Sequence, residues 1–358
     1  MRTTVSAAAL SFALVASGCG GGDGAAQQRT PTPAGSAVAV VEERWVSAAD
    51  TIWDVDTPAL WTDGSASVVL VTAKGTHDLQ RFDGGSGRRM EAWGEQGAEL
   101  GMFDRPNAVL VVDDFALIVE RDNRRVQVLA MPEGTPLGAF GADVLRYPYG
   151  IAVAGTPRDL VVWVTDDYED VEDVVPDDLT KRLHRFDVTL RSGRAPEVTA
   201  HSTHGAPHGD GALRVVESIQ VDPDQERVFV ADESRRSYLE YGFDGTFQGR
   251  QLGAPEIGGD PEGIVLVRCG AEAGYWVLTD QQPDVTLFRV YDRESREARG
   301  VFRGAVTTNT DGATFELGPV PGFPNGVLYA IHDDQALSAF DWADIARALG
   351  LRSDCTRL

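Results

Sequence analysis

The sequence predicts an all-β protein, a six-bladed β-propeller, and three observations carry that reading. No long stretch keeps a helical apolar period; short β-rich runs bounded by Gly, Pro, Asp and Asn recur throughout. A strand ending in an aromatic residue and usually Asp returns unit after unit. Its anchors are Phe82, Leu129 (a variant), Phe186, Phe243, Tyr291 and Phe340, spaced by 47, 57, 57, 48 and 49 residues. Each unit also opens alike, with a polar residue, a small residue and then an apolar strand. A period of about fifty with several short strands matches one four-stranded blade. Six units give six blades in one closed domain, assigned to residues 41–358.

The chain has 358 residues, with 32 basic against 55 acidic side chains and a net charge of −23. Such a field repels a phosphate backbone, so nucleic acid is excluded as a partner. An anionic substrate then needs positive charge placed locally, as a few aimed basic side chains or as bound metal cations. Lysine occurs only at Lys74 and Lys181. The other basic residues are arginine.

Arg2 followed by the uncharged apolar run Val5 to Ala16 is too short to span a bilayer and reads as a cleavable export signal over residues 1–18. Ala16, Ser17 and Gly18 before Cys19 resemble a bacterial lipobox, which makes Cys19 the lipidation site. The alternative is a plain secretory signal with an incidental cysteine. Residues 19–40 then form the lipidated start and a Gly/Pro/Thr/Ala-rich tether. The expected location is the cell envelope, with contact to membrane only through the lipid and a monomeric folded part. Export also makes a disulfide between Cys269 and Cys355 available, pinning the C-terminal tail to the fold.

The unit openings carry the candidate chemistry. They are Asn107, Tyr149, Glu217, Glu262 and Asp311, with Asp56 in the first unit. In a propeller the opening strand of every blade lines the central channel, so Asp56, Glu217, Glu262 and Asp311 are expected to crowd one mouth, joined by Asp260. Converging carboxylates repel unless a cation shares the site. Several carboxylate oxygens suit Ca²⁺, and the set lacks the His and Cys ligands that zinc or copper favours. A second charged layer falls where another strand of each unit ends, at Lys74, Arg121, Asp166-Asp167, Asp232-Glu233, Asp280 and Asp333-Asp334. Lys74 and Arg121 at equivalent places point to phosphate held beside metal. His201, His204 and His208 read as a solvated Gly/Pro-rich loop, and the acidic run from Asp166 to Asp178 as an exposed insertion. No Gly-x-Ser-x-Gly elbow or phosphate-cradling Gly-Lys-Ser/Thr loop occurs.

Taken together, the units resemble the β-propeller phytases, exported six-bladed enzymes that remove phosphate from inositol phosphates with calcium. The resemblance runs from Asp56-Thr-Pro-Ala-Leu-Trp61 to Phe340-Asp-Trp-Ala-Asp-Ile345. It includes Arg105-Pro-Asn107, Tyr149-Gly150, Val216-Glu217, Ala231-Asp-Glu-Ser234, Asp260-Pro-Glu-Gly263, Thr308-Asn-Thr-Asp-Gly312 and Phe323-Pro-Asn-Gly-Val-Leu-Tyr329. It implies Asp56, Glu217, Glu233, Asp260, Glu262 and Asp311 as calcium ligands, with Lys74 and Arg121 on substrate phosphate. Asn107 and Tyr149 line the same mouth. The chain departs from the pattern at four places. Trp53 stands where a second acid is implied, Gly75 where a lysine follows Lys74, Asp166 or Asp167 where the third blade carries a lysine, and Ala305 where an acid precedes Asp311. The implied activity is calcium-dependent hydrolysis of phytate or a related phosphate ester by metal-activated water, with Lys74, Arg121, Glu217 and Glu262 as the catalytic set. The alternatives are a non-catalytic calcium-stabilised surface propeller and a lactonase-like propeller hydrolase.

Overall fold

The computed structural model describes residues 37–169, 171 and 174–355. The export signal, Cys19 and the tether as far as residue 36 lie outside them. The described residues form six sheets, each built on four antiparallel strands, whose innermost strands are Val55–Thr62, Pro106–Val112, Pro148–Thr156, Val216–Asp222, Asp260–Arg268 and Ala313–Glu316, in blades 1 to 6. Each innermost strand touches the next, and that of blade 6 touches that of blade 1. The ring is closed, and the fold is a six-bladed β-propeller.

The closure is made by the start of the chain. Blade 6 takes three strands from the C-terminal part, and its outermost strand is Trp45–Val46, paired with Ala339 and Ser338. Just before it, Ala39–Val41 runs parallel to blade 5's outer strand, from Ala39 opposite Phe302 to Val41 opposite Gly304. Folded structure therefore begins inside the stretch that composition assigns to the tether. Short strands that pair only with the far end of the chain carry no local signal.

Apolar residues pack between blades rather than within them. In blade 1, Val69 and Val71 join blade 6 residues such as Tyr329, while Val68 and Leu70 join blade 2 residues such as Ile118. Side chains alternate faces along a strand, so the second strand is buried on both sides and reads as a continuous apolar run. The other interfaces repeat the arrangement.

The repeated aromatic has a fixed register. It stands four residues after the partner of one equivalent second-strand position, as Phe82 does after Asp78, opposite Ala73, and Tyr291 after Leu287, opposite Asp280. In blade 4 Ser237 is that partner, so the equivalent residue is Tyr241, 1% exposed, and not Phe243. The steps around blade 4 become 55 and 50. The acids near this position shape the turn that follows. Asp83 accepts from the Ser86 amide, Asp244 from that of Thr246 and Asp292 from that of Ser295, and Asp341 caps the C-terminal helix Trp342–Leu349 through the Ala343 amide. That helix buries Trp342, Ile345 and Ala346 against blades 5 and 6 and ends at Gly350 in the left-handed conformation. Beyond it, Cys355 is bonded to Cys269. No helix among the described residues is long and apolar enough to cross a membrane.

Two expectations of solvated loops hold only in part: His208 lies in an exposed bend, and residues 171, 174, 177 and 178 of the acidic run are exposed. His201 and His204 lie on the outer strand of blade 3, Glu197–His204. His201 stacks on Phe186 and meets buried His184 at 3.1 Å, and His204 packs on Trp163. The acidic run also starts buried, with Asp166 and Tyr168 at 1% and 2% exposure. Aromatic neighbours and backbone donors drew His204, Asp166 and Tyr168 inward, while His201 stays exposed with one ring face on Phe186.

Candidate functional site

In blades 1 to 5 the innermost strand begins with an irregularity. Pairing skips between Val55 and Pro58, Pro106 and Ala108, Pro148 and Ile151, Val216 and Ile219, and Pro261 and Ile264. Inside those skips sit Asp56, Asn107, Tyr149, Glu217 and Glu262. A bulge frees a residue from the ladder and re-aims its side chain. The polar opening of each unit is thus a bulge residue at the mouth of the channel, and Asp311 precedes the first strand of blade 6.

The small residue that follows has an equally local cause. The carbonyls of these residues bind the neighbouring blade: Gly312 N–H donates to Asp56 (2.9 Å), Thr72 Oγ1 to Asn107 (3.0 Å), Thr165 Oγ1 to Glu217 (2.8 Å) and Gly263 N–H to Asp311 (2.7 Å). A Cβ on Gly312 would fall 2.5 Å from the Asp56 carbonyl oxygen. Gly312→Ala is therefore expected to lower stability by about 1–3 kcal/mol and to displace Asp56. Thermal unfolding together with a calcium titration checks both effects.

Two groups of side chains meet at the mouth. In one, the Lys74 ammonium lies 3.0 Å from Asp56, 3.4 Å from Asp311 and 3.6 Å from Asp54. Tyr149 donates its hydroxyl to Asp56 at 3.1 Å, and Gln281 donates to Asp311 at 2.8 Å. Burial alone would favour neutral Lys74, but Asp56, Asp311 and Asp54 outweigh it and hold the ammonium charged. Burial and Asp56 push the Asp311 carboxyl up to about 7. In the other group, ligand oxygens of Glu217, Glu233 and Glu262 lie within 4.8 Å of one another. Burial first, and then the neighbouring acids, raise Glu217 and Glu262 well above the usual carboxylate range. One buried oxygen of Glu217 and both amide atoms of Asn107, itself 1% exposed, have no hydrogen-bond partner.

Asp260 is exposed, two residues from Glu262, and its charge opposes ionisation of Glu233. Arg121 takes the position in blade 2 that Lys74 takes in blade 1, but it bonds Asp122 at 2.8 Å and lies over the Tyr147 ring. The structure therefore brings together Asp56, Lys74, Tyr149, Glu217, Glu233, Glu262 and Asp311, with Asn107 in the same ring of bulges and Arg121 turned to the rim.

The second charged layer divides into two roles. Glu120, Asp166, Asp232 and Asp280, each at most 1% exposed, accept backbone N–H groups of the loop entering their own blade, from Asp104, Arg146, Arg214 and Gly259 respectively. These are structural acids. The next residue in each case, Arg121, Asp167, Glu233 or Gln281, occupies the place of Lys74. Gln281 was not anticipated; its position directly after Asp280 was the available signal.

The departures from the phytase-like pattern have physical reasons. Trp53 is 2% exposed in the core between blades 6 and 1, with Arg89 over its ring. A Cβ on Gly75 would lie 2.4 Å from the Ile52 carbonyl oxygen, so this backbone leaves no room for a lysine there. Around Ala305, the Glu43 carboxylate accepts the amides of Ala305, Val306 and Thr307 and fixes the loop.

The donor set fits calcium: three converging carboxylates, one of them with a buried unpartnered oxygen, all hard oxygen donors. Below the ring the channel encloses about 180 Å³ and is walled by small and aliphatic residues such as Ala59, Ala108, Ile151, Ile219 and Ile264.

No family model and no curated protein matches the chain. Solved structures similar to it include the Kuenenia stuttgartiensis hydrazine synthase, with 11% identity, a TM-score of 0.48 and coverage of 82% of this chain and 97% of that one. A likeness at that level carries no inference about activity.

Proposed function

We propose that the protein is an exported, lipid-anchored, calcium-dependent phosphomonoesterase of the β-propeller phytase kind. The observation that supports this most is the convergence of Glu217, Glu233 and Glu262 at one channel mouth beside the Lys74–Asp56–Asp311 cluster. Glu217, Glu233 and Glu262 would hold the cation, with Asp260, Asp56 and Asp311 as further acids of the ring. Calcium bound there supplies Lewis-acid polarisation of a phosphoryl oxygen and of the attacking water. Lys74 steadies phosphoryl oxygens as a point charge, and its three carboxylate contacts keep it protonated. Asp311, held by Lys74 and Gln281 at the same mouth, is placed to accept a proton from the attacking water. Tyr149 stays a hydrogen-bond donor, because burial and the surrounding acids hold its hydroxyl far from ionisation.

Purified protein is expected to release phosphate from phytate or a simple phosphomonoester when calcium is added. Chelator should abolish the release, and Glu262→Gln should reduce it on the order of 100-fold or more. Absence of release under every metal condition removes the enzyme reading. A second reading, a calcium-stabilised surface scaffold, draws on the engagement of Lys74 by three acids and of Arg121 by Asp122. Calcium binding and thermal stabilisation without phosphate affinity would favour it.

A further inference from the structure

The register of blade 3 places Asp167 where blade 1 has Lys74 and blade 4 has Glu233, one residue beyond a buried structural acid. Asp167 is firmly held. Its Oδ1 accepts the Val216 amide at 3.0 Å, next to Glu217, and lies 3.1 Å from the buried Arg182 guanidinium; its own amide donates to Tyr147. Its charge acts on both Glu217 and Glu233. Arg182 is fixed by the carbonyls of Asp166, Tyr168 and Arg214 and offsets part of the Asp167 charge, but the remainder still opposes ionisation of Glu217 and Glu233. The ligand-facing character of the neighbouring cluster rests on separate grounds, the buried oxygen of Glu217 that has no hydrogen-bond partner.

On this side of the mouth, then, an incoming anion meets carboxylate where a cation would be needed to take a second phosphate. On the other side Lys74 is shared among Asp54, Asp56 and Asp311, the place beside it is Gly75, and Arg121 is paired with Asp122. Repulsion grows with each charge that the ligand carries, whereas attraction to a cation in the cluster is available chiefly to the one phosphate that reaches it.

We propose that Asp167 is a specificity-determining residue that restricts the mouth to esters carrying a single phosphate and disfavours polyphosphorylated ones. The inference rests on the phosphate-ester reading and narrows its substrate class.

The test uses the purified, folded protein at a buffered free calcium concentration and measures binding of inorganic phosphate and of tripolyphosphate by calorimetry. The same samples are assayed for hydrolysis of a monophosphate ester and of phytate. Wild type is expected to bind tripolyphosphate no more tightly than phosphate and to favour the monoester. Asp167→Lys should raise the tripolyphosphate-to-phosphate affinity ratio at least about tenfold. Asp167→Asn, which keeps an acceptor for the Val216 amide, should shift the ratio in the same direction by less, and it serves if the lysine variant fails to fold. If wild type binds tripolyphosphate more tightly and neither variant changes the ratio, this inference falls while the phosphate-ester reading stands. If calcium-loaded protein binds neither anion and hydrolyses neither ester, both fall.

Discussion

In chelator, the protein is expected to lose stability as the pH rises from about 6.5 to 8, and calcium is expected to reverse the loss. Asp311 titrates at about 7 in the folded state because burial and Asp56 oppose its charge, against an ordinary value of 3.8. A carboxyl raised on folding binds more protons in the native than in the unfolded chain. Its contribution is complete below the unfolded value and is lost as the pH climbs through the folded one. Asp311 alone accounts for ~1 kcal/mol between pH 6.5 and 8. Glu217 and Glu262, held well above their usual range by burial and by one another, act in the same direction. Three histidines oppose them at lower pH. His184, lowered to about 4 by burial, and His201 and His204, also lowered, make stability rise with pH up to about 6.5. About half of each unfolded imidazole is still protonated at pH 6.5, so part of this rise persists to about pH 7.5, and the fall expected between pH 6.5 and 8 requires Asp311, Glu217 and Glu262 together to outweigh it. Calcium takes the place of the protons, so its effect should be large at pH 8 and small at pH 5. At a concentration one hundred times its Kd, a single ion adds about 2.7 kcal/mol, or roughly 4 °C in Tm for a folded domain of this size. Thermal melts at pH 5, 6.5 and 8, with chelator and with calcium, decide the matter. A chelated protein whose stability is flat or rises between pH 6.5 and 8 would show that these carboxyls are not crowded as described.

Much of this site could be read from the sequence, because a propeller converts spacing into position. Repetition of the Phe82-type ending gave the number of blades, and the polar–small–apolar openings located the bulges, although the bulge itself has no one-dimensional signature. The Gly after Glu262 and Asp311 is where two blades touch, so the small residue in the pattern reports an inter-blade contact. What stayed hidden was which member of an adjacent acidic pair does which work. Asp166 and Asp167, or Asp232 and Glu233, look alike in a string of letters; only the end of the second strand decides that the first caps a loop and the second faces the mouth. Arg121 illustrates the converse. It occupies the position expected from Lys74, yet side-chain chemistry gave it nearer partners in Asp122 and Tyr147. The blade 4 anchor slipped by two residues because Phe243 and Tyr241 are both aromatic, and pairing with the second strand, not residue type, chooses between them. The pairing of Trp45–Val46 with blade 6 spans nearly the whole chain and is set by closure geometry that no local window contains.

Closure also determines where the disulfide exerts its effect. Cys269 follows the innermost strand of blade 5, at the end away from Glu262, and Cys355 lies beyond the C-terminal helix, 86 residues later. Seven strand residues at about 3.3 Å each put the bond roughly 23 Å from the acid ring. A link closing a loop of this length restricts the unfolded chain by about 4–5 kcal/mol. The segment it secures is small but lies at the seam: Trp342 and Ile345 pack with Val41, Trp342 Nε1 donates to the Arg352 carbonyl, and the Arg352 amide donates to the Tyr275 hydroxyl. The double variant Cys269→Ser/Cys355→Ser is therefore expected to lose about 4 kcal/mol in denaturant unfolding while keeping the calcium affinity of the folded protein within about twofold. Both cysteines are buried, at 8% exposure each, so reductant applied to the native protein should leave the disulfide bonded until it unfolds. A loss of stability below 1 kcal/mol would mean that the helix and its hydrogen bonds already fix the tail. A matching fall in calcium affinity would mean instead that strain at the seam reaches the mouth along the blade 5 strand.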